Sequence, residues 1–278
     1  MSIYSSPAEL KRIGEMLSVY ARLPFTGSSI PGPVMESTLA LVRGATVLPT
    51  YDFVDVVDPA KHIGWQVKAT LAGTPMTWKR AKLPDKMARI NESRKGERQR
   101  QALGNAIIEY CNANARASLD LQIKPEHQRT TGLPRGVQPD DIGIARLILH
   151  PDGLVEYYER RLLTRNQPQL FDPASFEWTW TDKKEDRTKE PAFHGIHKAS
   201  KRKHFAWHGL SENQFHFPGE REWWPDKSQT QNSVRFRLDG GRLSYEELER
   251  LLALFDRNAQ PQVTSSRLVE DLPLPQDI

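Results

Sequence analysis

Asp52, Asp55, Gln66 and Lys68 are the residues of this chain whose types and spacing could do chemistry together. They lie in TVLPTYDFVDVVD and HIGWQVKATL, two β-rich runs on either side of Pro59-Ala60-Lys61, which reads as a hairpin. In the second run Trp65, Val67, Ala69 and Leu71 alternate with Gly64, Gln66, Lys68 and Thr70, giving one apolar and one polar face. Cleaving a phosphodiester needs an activated water, a counter-charge for the phosphate and help for the leaving oxygen, and Mg²⁺ supplies all three. That ion takes oxygen ligands, usually one or two carboxylates with waters and substrate phosphate. A lysine beside it can orient or deprotonate the water. A hairpin can present this set, with an acid on its first strand and an oxygen ligand and a lysine two apart on its second.

Gln66 follows Asp52 by 14 residues (66 − 52) and Asp55 by 11 (66 − 55). The two aspartates are three apart, so on a strand they face opposite ways and one alone can enter the site. A four-residue loop, Pro59 to His62, would set Asp55 opposite Gln66, which favours Asp55 and leaves Asp52 as the alternative. Asp58 reads as a turn residue.

This D-x(10–13)-QVK run resembles the core of the PD-(D/E)XK nuclease superfamily, in the Q-x-K variant found among restriction enzymes and Mrr-like nucleases. The resemblance covers about residues 34–121. It implies that Asp55 or Asp52, with the Gln66 carbonyl, would bind Mg²⁺ and that Lys68 would position the attacking water. The family pattern carries an acid where this chain has Gln66, so one negative charge is missing. Family members often draw another carboxylate from the helix before the hairpin, and Glu36 matches that place. It is the only acid between Glu15 and Asp52.

The implied fold is α/β, one domain over 1–278 with a central mixed β-sheet flanked by helices, restriction-endonuclease-like, and β-rich extensions in the C-terminal half. The implied activity is Mg²⁺-dependent, site-specific cleavage of double-stranded DNA by a type II restriction endonuclease. A symmetric target would imply a homodimer. Two other readings stay open: a repair, recombination or modification-dependent nuclease of the same fold, and a non-catalytic DNA-binding protein in which the polar hairpin face is incidental.

The elements that must position this set are legible around it. Residues 7–20 place Leu10, Ile13, Leu17 and Tyr20 at helical spacing behind Pro7. A helix over 34–43 ends at Gly44, and another runs from about Glu97 to Leu121. Residues 122–141 read as a connection. IARLILH and LVEYYERRL around Pro-Asp-Gly read as a hairpin. FEWTWTD and SVRFRLDGG alternate as strands. HKASKRKHFAWHGL is compatible with a helix that would bring His204 and His208 to one face, but it lacks the glutamate of an HExxH metal motif. Ser244 with Glu247 reads as the capping box of a last helix.

Charge distribution points to a polyanion. Between Lys79 and Arg100 there are nine basic residues against three acidic ones, within a net charge of +4. Lys198, Lys201, Arg202 and Lys203 form a second cluster, flanked by His197 and His204. Candidate DNA contacts are Lys79, Arg80, Lys82, Arg135, Lys201, Arg202, Asn213 and Gln214, since Arg reads guanine and Asn or Gln reads adenine. The single cysteine, Cys111, excludes an internal disulfide and a cysteine zinc site, and reads as buried packing. No run approaches the roughly 18–20 apolar residues of a membrane span, and the first residues lack a signal-peptide core, so a cytoplasmic location is expected. No P-loop, no GxGxxG opening a helix and no GxSxG elbow occurs.

Overall fold

The computed structural model describes residues 2–26, 29–49, 53–181, 191–211, 213–217, 233–238 and 241–256. They form a mixed α/β architecture built on two sheets. The first runs in the order β1 (Thr46–Val47), β2 (Val56–Asp58), β3 (Ile63–Leu71), β7 (Asp141–Leu149), β8 (Leu154–Thr164), β13 (Ser233–Arg237). It is mixed, because β3 and β7 are parallel and every other neighbouring pair is antiparallel. The second is antiparallel throughout, in the order β4 (Met76–Arg80), β12 (Gln214–Phe217), β11 (Lys203–His208), β10 (Phe193–His197), β9 (Phe176–Trp180). A short pair, β5 (Leu121–Gln122) and β6 (Gly136–Val137), stands apart. The helices are α1 (Pro7–Arg22), α2 (Gly32–Arg43), α3 (Lys86–Ser93), α4 (Glu97–Ala117), α5 (Pro125–Thr131) and α6 (Tyr245–Asp256).

Local chemistry sets the boundaries. Ser6 caps α1 reciprocally with Glu9: the Glu9 N–H donates to the Ser6 hydroxyl (3.3 Å) and the Ser6 N–H to the Glu9 carboxylate (2.7 Å). Gly44, at φ +65°, ends α2 in the left-handed region where a side chain is strained. The expected capping box of the last helix is present, Ser244 with Glu247 at 2.8 and 3.2 Å. The Leu252 and Phe255 side chains lie outside the described residues.

The first sheet is covered on both faces, which is why β7 is a nearly unbroken apolar run. On one face α1 and α2 pack Leu10, Ile13, Leu17, Met35 and Leu39 against Trp65, Val67, Ala145, Leu147 and Tyr157. On the other, Ile142, Ile144 and Ile148 meet α4 and the aromatic inner face of the second sheet, Trp78, Phe193, Phe205 and Phe215. The N-terminus is pinned by the buried Glu159, whose carboxylate accepts from the Ser5 N–H and hydroxyl (both 2.6 Å) and from the Tyr157 hydroxyl (2.7 Å). Cys111 is buried among these residues, and desolvation pushes its thiol up to about 12.

Three expectations are corrected. The segment around His204 and His208 is strand β11, because Phe205 and Trp207 alternate inward. Four residues along a strand span roughly 13 Å, so these two histidines cannot chelate one ion. His204 instead stacks on His197 (ring centroids 4.7 Å), and His208 packs against His216 at a tilt of 56° (4.8 Å). Residues 122–141 are not merely a connection, since they contain α5 and both strands of the small sheet. The C-terminal strands also do more than extend the sheet as β-rich additions. β7 completes the first sheet beside β3, and β4 joins β12, so the halves interleave. Among the described residues no helix is long and apolar enough to cross a membrane.

Gly104 is where α4 meets β9, and a Cβ there would stand 2.2 Å from the Trp178 ring. Gly to Ala inside a helix ordinarily stabilises by about 0.5–1 kcal/mol. Here Gly104→Ala is expected to destabilise by about 1–3 kcal/mol through overpacking, read as a lower midpoint in urea unfolding.

Candidate active site

β3 is nine residues long, but β2 pairs with only its first three, Ile63 to Trp65. β7 pairs with all nine. The antiparallel register closes at Asp58↔Ile63 over the loop Pro59 to His62, so the next position sets Asp55 opposite Gln66. Asp55 holds that place with its backbone, its N–H donating to Trp65 O (2.8 Å) and its carbonyl accepting from Leu48 N–H (2.8 Å). Its carboxylate then takes over from the missing strand, and Oδ2 accepts the Val67 N–H at 2.7 Å. Asp58 is a turn residue, accepting from Lys61 N–H (3.0 Å) and pairing with its ammonium (2.8 Å).

Lys68 acts electrostatically on Asp55 and on Glu36 of α2, and Asp55 acts on Glu36, so the three lie within electrostatic reach of one another. The tether that aims α2 lies at its other end. Arg43 stacks over Trp65 (5.1 Å to the ring centroid), and Lys61 of the hairpin loop donates to the Arg43 carbonyl (3.1 Å). Burial pushes the Asp55 carboxyl above its ordinary range, against the pull of Lys68 and of the Val67 N–H. Burial and then the Asp55 charge push Glu36 up as well, against Lys68. Gln66 is 1% exposed, and its Oε1 accepts no hydrogen bond among the described residues. A buried acceptor without a donor costs roughly 1–3 kcal/mol.

This donor set fits a hard cation. It offers two desolvated carboxylates and an unsatisfied carbonyl, all oxygen, beside one lysine. Among the described residues no three His, Cys, Asp or Glu side chains come together, so the set depends on Gln66. Asp52, the alternative acid, lies outside the described residues.

The DNA-contact candidates divide into groups. Arg80 pairs in register with Gln214, and Ala81 N–H donates to Asn213 O (2.8 Å), so Arg80, Lys82, Asn213 and Gln214 gather at one end of the second sheet. Lys201 and Arg202 are exposed in the β10–β11 turn, at the opposite end of β11. Lys201 pairs there with Glu177 (3.3 Å). Arg135 is exposed beside β6. Lys79 departs from the expectation: it is buried, with its charge acting on the Cys111 thiol, so it stands apart from the exposed cations. Burial first, and then neighbouring positive groups, lower His204 to about 4, so it is neutral at pH 7 and adds no charge to the Lys201 cluster.

Sequence reasoning missed Arg146 and Thr70, whose hydroxyl accepts from the Arg146 guanidinium at 2.8 Å. The available signal was a lone arginine inside the apolar run IARLILH. Comparison with family models, with curated proteins and with solved structures returns no match.

The Asp55 carboxyl titrates higher folded than unfolded, so folding takes up a proton in that window. Its contribution to stability is full below the unfolded value and is lost as pH rises through the folded one. Asp55→Asn is expected to flatten the decline in melting temperature across that window and to raise the melting temperature at neutral pH in EDTA. Mg²⁺ is expected to stabilise the unsubstituted chain by about 1.4 kcal/mol for each tenfold excess over Kd, and Asp55→Asn to abolish that gain. Calorimetry with and without Mg²⁺ reads both effects.

Proposed function

We propose that this chain is a Mg²⁺-dependent, site-specific endonuclease for double-stranded DNA, of the type II restriction kind and related to the PD-(D/E)XK nucleases in its Q-x-K form. The observation that carries this reading is the electrostatic coupling of Asp55, Glu36 and Lys68 beside the buried Gln66, whose Oε1 accepts no hydrogen bond among the described residues and which lies one position beyond the last β2–β3 pair. The mixed sheet, with α2 before the hairpin and α4 after it, agrees with the fold expected for that family.

In this reading Asp55, the Gln66 carbonyl and Glu36 hold the ion. When bound, Mg²⁺ lowers the pKa of a water and neutralises charge on the phosphate. Lys68 orients that water and offsets negative charge on the scissile phosphate. Asp55 does two jobs, since one oxygen is committed to the Val67 N–H and fixes the carboxylate's direction. Arg80, Lys82, Lys201 and Arg202 hold the DNA backbone through charge, with Asn213 and Gln214 near the first pair. A two-fold symmetric target would be met by a homodimer.

Digestion of a plasmid with Mg²⁺ tests the reading, and discrete fragments are the expected product. Lys68→Ala and Asp55→Ala should each retain DNA in a gel-shift assay while cleavage falls by about 10²–10⁴-fold. Cutting at the unsubstituted rate by both variants would remove the site assignment. DNA retention without cleavage by the unsubstituted chain, with or without metal, would leave a non-catalytic binding protein. A smear in place of bands would favour a nuclease of the same fold without site specificity.

A further inference from the structure

Arg146 lies in the middle of β7, which has β3 on one side and β8 on the other, and it is 1% exposed. A guanidinium stays charged in a protein. Burying one is costly, so its position in an otherwise apolar strand calls for a reason. Parallel register sets Arg146 directly beside Lys68. Both project from the face that also carries Gln66 and Thr70, since these β3 positions are two apart. The Arg146 Nη2 donates to the Thr70 hydroxyl at 2.8 Å, which ties the guanidinium to the residue two along from Lys68 on the same face of β3.

We propose, resting on the nuclease reading, that Arg146 is a positioning residue that holds the Lys68 ammonium toward Asp55 and Glu36. On the β7 side, Lys68 meets a fixed like charge. On the β2 side, the strand has ended and two carboxylates stand within electrostatic reach. Repulsion from one side and attraction from the other restrict a side chain that has four rotatable carbons. Thr70, locked by its hydrogen bond, bounds Lys68 along the strand, and Gln66 bounds it on the other side. Arg146 is too buried to touch a phosphate, so it acts through Lys68.

The test is single-turnover cleavage of a plasmid by the full chain with saturating Mg²⁺. Arg146→Met keeps an unbranched apolar stem, shorter than that of arginine, and removes the charge. It is expected to lower the rate constant by about tenfold to a hundredfold, the scale of a misplaced catalytic group. Reaction amplitude and DNA Kd should stay near those of the unsubstituted chain. Arg146→Lys, which keeps the charge, should recover part of the rate. A residue that merely stabilises the fold would lower the amplitude, the folded fraction, and leave the rate constant alone. Thr70→Val, close in shape, covers the case in which Arg146→Met does not fold, and should slow the rate constant by about threefold for the loss of one hydrogen bond. Unchanged rate constants in Thr70→Val and in any folded Arg146 variant overturn the proposal while Lys68→Ala remains inactive. Absence of cleavage by the unsubstituted chain overturns the nuclease reading, and this inference with it.

Discussion

One hydrogen bond organises the candidate site. β2 stops after three residues of pairing, so among the described residues β3 has from Gln66 onward a neighbouring strand on one side alone. An unpaired strand edge carries donors that must be satisfied. The first of these, the Val67 N–H, goes to the Asp55 carboxylate instead of to a strand carbonyl. That contact has two consequences. It turns Asp55 inward across from Gln66, and it marks where the sheet opens. Glu36 and Lys68 then meet Asp55 in that opening, because α2 is strapped to the other end of the same hairpin through Arg43 and Lys61.

The opening is electrostatically expensive for the chain alone. Asp55 and Glu36 are desolvated, the Asp55 charge raises the cost of ionising Glu36, and Lys68 relieves both. Burial of charge is tolerated when a partner or a metal is supplied. Elsewhere the same molecule handles buried acids differently. Glu159 is surrounded by three donors and serves to anchor the N-terminal segment. Asp58 is neutralised by Lys61 within its own turn. Asp55 has one backbone donor and Gln66 Oε1 has none among the described residues, so the unmet demand is concentrated in one place.

Much of this was legible in the sequence, for physical reasons. Period-2 alternation in GWQVKATL set Gln66 and Lys68 on one face, and the four-residue loop fixed the register that selects Asp55. Gly44 marked the end of the helix that carries Glu36. These signals are local. What escaped was non-local. Nothing near MTWKR announces that it leaves the first sheet to join β12, and that choice buried Lys79 among aromatics. HKASKRKHFAWHGL has enough helix formers to pass for a helix, and strand pairing on both sides overrode that preference. Arg146 was visible as a charge in an apolar run, but its relation to Lys68 depends on a parallel pairing between residues 78 positions apart (146 − 68).

The amide at position 66 follows from the same balance. At 1% exposure a carboxylate there would be fully desolvated and would face Asp55 directly across the strand pair. Two such groups cannot both ionise cheaply without a cation already present. A neutral carbonyl offers a ligand oxygen without that repulsion, so the empty hairpin can fold with its register intact. The charge is carried instead by Asp55, which is tied to the backbone, and by Glu36, at the half-buried margin on a separate helix. A cation at such a site would be held less tightly than by three carboxylates. The site gains independence from the ion for folding, and it makes the placement of Lys68 more consequential, because fewer negative groups remain to hold the ammonium in place.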